Sequence, residues 1–173
     1  MTVNKEVISI FVDNQANVLS RIVSFFGRRG FNIDSLTVST THNPEISRIT
    51  IVCHVDEQEL RQIITQTEKL EIVREIFVLD KEDSLYRELL LMKIRVDKSK
   101  RSGVIEIANI YRAKVIDLKK DSMLLELTGA PEKIDNFMEI LNCYDIVEVC
   151  RTGATGISRG LDGKTQESYE NIA

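Results

Sequence analysis

Tryptophan is absent from this sequence, proline and histidine occur twice each, and cysteine three times. Each scarcity excludes something. His42 and His54 fall in an expected turn and at an expected strand end, and no paired Cys, Asp or Glu stands near them at metal-ligand spacing. No metal site is expected. Cys53, Cys143 and Cys150 are odd in number and widely spaced, which does not read as a disulfide framework. They are expected to be small core residues in a reducing compartment. No segment approaches the ~20 apolar residues of a membrane span. The start, MTVNKEVISIFVD, is too polar for a signal peptide, so a cytoplasmic protein is expected. Basic excess is also missing: the net charge is -4, which argues against a broad nucleic-acid or anionic-membrane surface. The nucleophile-elbow, dinucleotide and Walker patterns do not occur either.

What is present is an ordinary globular composition, 43% hydrophobic and 29% charged over 173 residues. A chain of this length buries roughly 70% of its unfolded surface and needs no staple. EVISIFVD (Glu6 to Asp13) is rich in β-branched residues and reads as a strand. After a polar turn, Val18, Leu19, Ile22, Val23 and Phe26 define one helix face, ended by Gly30 behind two arginines. Strands follow at 33–41 and 46–54, around a turn at Thr41 to Pro44. A second helix at 57–70, with Leu60, Ile63, Ile64 and Leu70 inward, leads to a strand at 73–79. This order, β-α-β-β-α-β, is the ferredoxin-like pattern, with two helices on one face of four antiparallel strands and the other face uncovered.

Residues 80–87 read as a charged linker, and the pattern then repeats. Strands are expected at 88–96, 114–118, 123–127 and 146–150. Helices are expected at 103–112, with Ile105, Ile107, Ala108 and Tyr111 inward, and at 132–142 behind Pro131. The fold class is therefore α+β, two tandem ferredoxin-like (βαββαβ) domains at 1–79 and 88–160. A polar tail at 161–173 is expected to fray.

Few residues suggest chemistry. Thr152 to Gly156, flanked by Arg151 and Arg159, admits a phosphate cradle, but without a G-K-[ST] ending it reads first as a flexible loop that orders on a partner. Arg28-Arg29 is a helix C-terminus before it is a nucleic-acid contact. The informative segment is NQANVL, Asn14 to Leu19. Helix N-terminal amides there face small polar side chains, and such amides attract a carboxylate. Gly30 to Ile33 leads into the next strand and can meet that turn across a dimer, forming a pocket for a free amino acid. A plainer reading stands beside it, that Asn14 only caps the helix. For the dimer, the uncovered sheet face with Val38, Ile49 and Ile51 is the expected contact.

ISIFVDNQANVLSRIVSFFGRRGFNIDSLTVSTTHNPEISRIT (Ile8 to Thr50) closely resembles the ACT domain of acetolactate synthase (acetohydroxyacid synthase) small regulatory subunits. RRGFNIDSLTV and SRITI carry most of that likeness. ELLLMKI, AKVIDL and VEVCRTGATGISRG extend it through the second half. The resemblance implies that the first domain is an ACT domain and that the chain has no catalysis or cofactor of its own. It implies a homodimer, with the effector bound at the ACT interface. It also implies a large catalytic subunit carrying thiamine diphosphate, FAD and magnesium, which the small subunit activates and subjects to feedback inhibition by valine or a related amino acid. The pathway would be branched-chain amino acid biosynthesis. The implied effector site comprises Asn14, Asn17, Val18, Asn32 and Ile33, with Asn14 and Asn32 as direct contacts. The family's turn reads Asn-x-x-Gly-x-Leu, so Asn17 stands at its glycine position. Asparagine tolerates positive φ but adds bulk where a ligand carboxylate would lie. A stand-alone ACT-type regulator is the alternative, and it lacks a DNA-binding element. A small enzyme of this fold is a third reading, and it lacks convergent acid, base or nucleophile.

Overall fold

A computed structural model describes residues 2–160. The expected tail at 161–173 lies outside the described residues. The chain forms two compact units, one running to Leu85 and including the stretch from Ala154, the other Tyr86–Gly153.

The first unit contains β1 (Asn4–Asp13), α1 (Val18–Arg28), β2 (Ser35–Thr40), β3 (Ile46–Val55), α2 (Glu57–Thr67) and β4 (Val73–Val78). Its antiparallel sheet has the order β2-β3-β1-β4, which is the ferredoxin-like arrangement expected from the alternation of strand and helix periods. Ile8, Ile10 and Val12 of β1, with Ile49, Ile51 and Cys53 of β3, pack against Val18, Ile22, Phe26 and Ile63 of the helices. The i, i+4, i+8 spacing of Val18, Ile22 and Phe26 puts all three on the buried stripe. α1 ends in a Schellman motif. Gly30 takes φ 75°, the Gly30 amide donates to Gly27 O and the Phe31 amide to Phe26 O. The Phe26 and Phe31 rings meet edge to face, 6.3 Å apart.

Three expectations fail, two in this unit and one that extends to the second. Ile49 and Ile51 are fully buried on the helix side, so they belong to the core and not to a dimer contact. Their register partners Ile10 and Ile8 point the same way, and strand alternation decides the face. The opposite face is not left open, because Ser9, Phe11, Thr50 and Val52 are all buried. Val7, Phe11, Val52 and Phe77 make that face apolar, and apolar area is driven out of water. Of the three cysteines only Cys53 is in a core, while Cys143 and Cys150 are exposed. Burial pushes the Cys53 thiol up to about 12, so it stays protonated and inert.

The second unit repeats the order with β5 (Ser84–Arg95), α3 (Arg101–Tyr111), β6 (Lys114–Leu118), β7 (Ser122–Gly129), α4 (Pro131–Leu141) and β8 (Asp145–Arg151). The strand order is β6-β7-β5-β8; β9 (Thr155–Ser158), in the stretch that belongs to the first unit, pairs with β5, whose start at Ser84 lies in that unit too. Leu90, Met92, Ile94, Leu125, Ile134 and Phe137 form its own core. β5 begins at Ser84, so half of the expected linker is strand. Ile105, expected inward, is 41% exposed, and Val104 takes its place in the core, one residue of phase away. The expected flexible loop is tied down. Thr152 donates its amide to Leu89 O and accepts the Leu89 amide on its hydroxyl, and β9 follows directly. Arg151 is engaged inside the chain rather than offered to a partner. Its Nε and Nη2 grip Glu88 at 2.6 and 2.8 Å, and Nη1 reaches Asp135 at 2.8 Å. These two carboxylates hold its guanidinium charged, with a pKa above the usual arginine value.

Candidate functional site

The start of α1 differs from the start of α2. α2 has a full capping box, in which Asp56 accepts the Glu59 amide and Glu59 returns the bond to the Asp56 amide. α1 is preceded by Asn17 at φ 67°, whose side chain makes no capping bond, and its first turn has no acidic residue. The first intrahelical bond runs from the Arg21 amide to Asn17 O. The amides of Val18, Leu19 and Ser20 therefore have no helical acceptor, and the positive end of the helix dipole is not offset by a carboxylate. This is a donor-only surface suited to an anion.

Asn14 does not cap the helix. Its Nδ2 donates to Pro44 O at 2.8 Å and its Oδ1 accepts from the Ser47 hydroxyl at 3.1 Å. Its backbone amide donates to Glu45 O. The side chain thus braces the β1–α1 turn against the start of β3. Val18 is 6% exposed and packs in the core, so it can offer a ligand only its backbone. Asn32 is exposed, and Ile33 is partly buried against the core just before β2.

The register separates these two segments. Asn14 adjoins Glu45, whereas Asp34, two residues after Asn32, donates its amide to Val52 O. Glu45 and Val52 are seven residues apart along the β3 side of the sheet, which at ~3.3 Å per residue is about 23 Å. The NQANVL turn and Asn32 therefore occupy opposite ends of one sheet. A free amino acid is a few ångströms long and cannot touch both within one chain.

Two side chains near Asn32 were not singled out from the sequence for this role. Asp34 Oδ1 accepts from Asn32 Nδ2 at 3.1 Å, and Asp34 Oδ2 faces His54 Nδ1 at 2.5 Å. The Asn-x-Asp spacing is a local signal for the first contact. Nothing local announces the second, which the β2–β3 register creates across 20 residues. Among the described residues no group of three His, Cys, Asp or Glu side chains is placed to hold a metal ion, and no helix is long and apolar enough to cross a membrane.

Comparison with known proteins identifies the frame around this turn. Residues 8–75 match the AHAS small subunit-like ACT domain, and residues 87–160 match the family described as the small subunit of acetolactate synthase. The chain belongs to the acetolactate synthase small-subunit family. The acetolactate synthase small subunit of Mycolicibacterium smegmatis is 41% identical over 156 residues, covering 90% of this chain and 92% of that protein. A probable acetolactate synthase small subunit of Archaeoglobus fulgidus is 40% identical over 157 residues, covering 90% and 98%. The crystal structure of the acetolactate synthase small subunit from Thermotoga maritima superposes with a TM-score of 0.83 at 32% identity, covering 91% of this chain and 98% of that one. The first unit of this small subunit thus contains an ACT domain, and the uncapped α1 turn belongs to it.

Proposed function

We propose that this chain is a non-catalytic regulatory subunit that binds an acetolactate synthase large subunit, raises its activity, and makes it subject to inhibition by valine or a related branched-chain amino acid. The holoenzyme would serve branched-chain amino acid synthesis, with thiamine diphosphate, FAD and magnesium in the large subunit. The observation that carries the effector part is the separation of the two halves of the site.

β2 is an edge strand. Its last residue, Thr40, pairs with Ser47, whose hydroxyl bonds Asn14, so the end of β2 and the NQANVL turn share one end of the sheet. If two copies lie with their β2 edges antiparallel, the start of one β2 comes beside the end of the other. Asn32 and Ile33 of one copy then approach Asn14, Asn17 and Val18 of the second, and the site becomes complete only in the dimer. Exposed apolar groups of this unit are available to such a pairing. Leu19 and Val23 lie one turn apart on α1, and Val38 on β2 is 44% exposed on the helix-side face. In this arrangement the α1 amides take the effector carboxylate and the Asn32 segment takes its other end.

The test is reconstitution. The purified chain alone turns over no pyruvate. Added to its cognate large subunit it raises turnover, and valine lowers that turnover again. Large-subunit activity that stays unchanged at a saturating ratio would overturn the assignment.

A further inference from the structure

We propose that Asp34 and His54 are positioning residues that turn the Asn32 side-chain carbonyl outward as the acceptor for the ammonium group of the amino-acid effector. The inference rests on the effector reading above and adds what decides its polarity.

An ionised carboxylate only accepts hydrogen bonds. Asp34 Oδ1 at 3.1 Å from the Asn32 amide therefore requires that Asn32 present its NH2 group to it, which fixes the orientation of the amide. His54 Nδ1 stands 2.5 Å from the other oxygen, Oδ2, and must carry its proton there. The Asp34 backbone is held as well, because its amide donates to Val52 O at 2.8 Å. With Nδ2 committed, Asn32 Oδ1 points away from Asp34 and takes no hydrogen bond among the described residues. Asn32 itself is exposed. That oxygen is an acceptor and suits a cationic donor.

The other half of the site has the opposite polarity. The α1 turn offers the amides of Val18 to Ser20 and no acidic group, and both ends of the Asn14 amide are already engaged. One end of the site donates and the other accepts, which matches a zwitterion and discriminates against an acid that lacks the ammonium group. Asp34 acts through Asn32, and His54 acts through Asp34.

The experiment titrates the full chain calorimetrically with L-valine, L-leucine and L-isoleucine, each against its 2-hydroxy analogue, in which a hydroxyl replaces the ammonium group. The wild-type chain is expected to prefer the amino acid by about tenfold or more, the size of a lost charge-assisted bond. Asp34→Asn lets residue 34 donate to Asn32 Oδ1 and frees the amide to turn. The preference should fall to within about threefold, while affinity for the hydroxy acid, which also reports an intact fold, stays within about twofold. His54→Ala should lose part of the preference, and His54→Gln, which keeps an N–H donor, should restore it. An unchanged preference in Asp34→Asn overturns the positioning role alone. A preference that rises in His54→Ala also overturns it, since Asp34 would then be the ammonium contact. A wild-type chain that binds none of the three amino acids overturns the effector reading and this inference together.

Discussion

At the scale of single residues, Asn17 decides how open the α1 turn is. It occupies the left-handed region at φ 67° and its side chain makes no capping bond, so the turn uses its backbone and not its amide. Left-handed backbone costs an ordinary L residue roughly 1–2 kcal/mol, asparagine less, and glycine nothing. Asn17→Gly should therefore leave stability unchanged or raise it by up to about 1 kcal/mol, read from the urea midpoint. It should also tighten valine binding, because a bare backbone lets a carboxylate approach the Val18 to Ser20 amides. Weaker binding in that variant would mean that the Asn17 amide donates to the ligand.

At the scale of elements, the Glu88–Arg151–Asp135 contact joins β5, β8 and α4. The Glu88 side chain is 4% exposed, and the arginine takes it with two parallel bonds. Arg151→Met leaves a buried carboxylate without its counter-charge and should cost about 3 kcal/mol in urea or thermal unfolding. Replacing both Glu88 and Arg151 with methionine should recover most of that loss, since the cost lies in the unpaired charge. A double variant as unstable as the single one would show that the loss comes from packing. Much of this level could be read from the sequence. All six elements of each half follow from period 3.6 against period 2, and Gly30 and Pro131 mark helix ends by their own geometry. β9 escaped because four residues, two of them Thr155 and Gly156, carry no periodic signal. Only pairing with β5 makes them a strand.

At the scale of the whole molecule, the proposed dimer would use the exposed apolar groups of α1 and the β2 edge, because the sheet face is already buried. Val38→Asp adds a charge at an exposed position on an edge strand, where the folded chain can solvate it. It should shift sedimentation from dimer to monomer at micromolar concentration, weaken valine binding by about tenfold or more, and leave the unfolding midpoint of a dilute sample within about 0.5 kcal/mol. A dimer that persists with full valine affinity would place the pairing surface elsewhere.

The sequence by itself determined the order of elements, the two-fold repetition of the ferredoxin-like pattern, and the donor character of the NQANVL turn. All three are local, set by side-chain periodicity, caps and turn chemistry within a few residues. The tertiary structure decided which face each strand residue occupies. It showed Ile49 and Ile51 to be core and put Val38 at an exposed edge. It also decided which distant side chains meet, His54 with Asp34 and Asn14 with Ser47. Finally, it set the NQANVL turn and Asn32 at opposite ends of one sheet. The physical reason is register. A shift of one residue between strands exchanges the two faces and every cross-strand neighbour, yet it leaves the hydrophobic pattern of each strand unchanged.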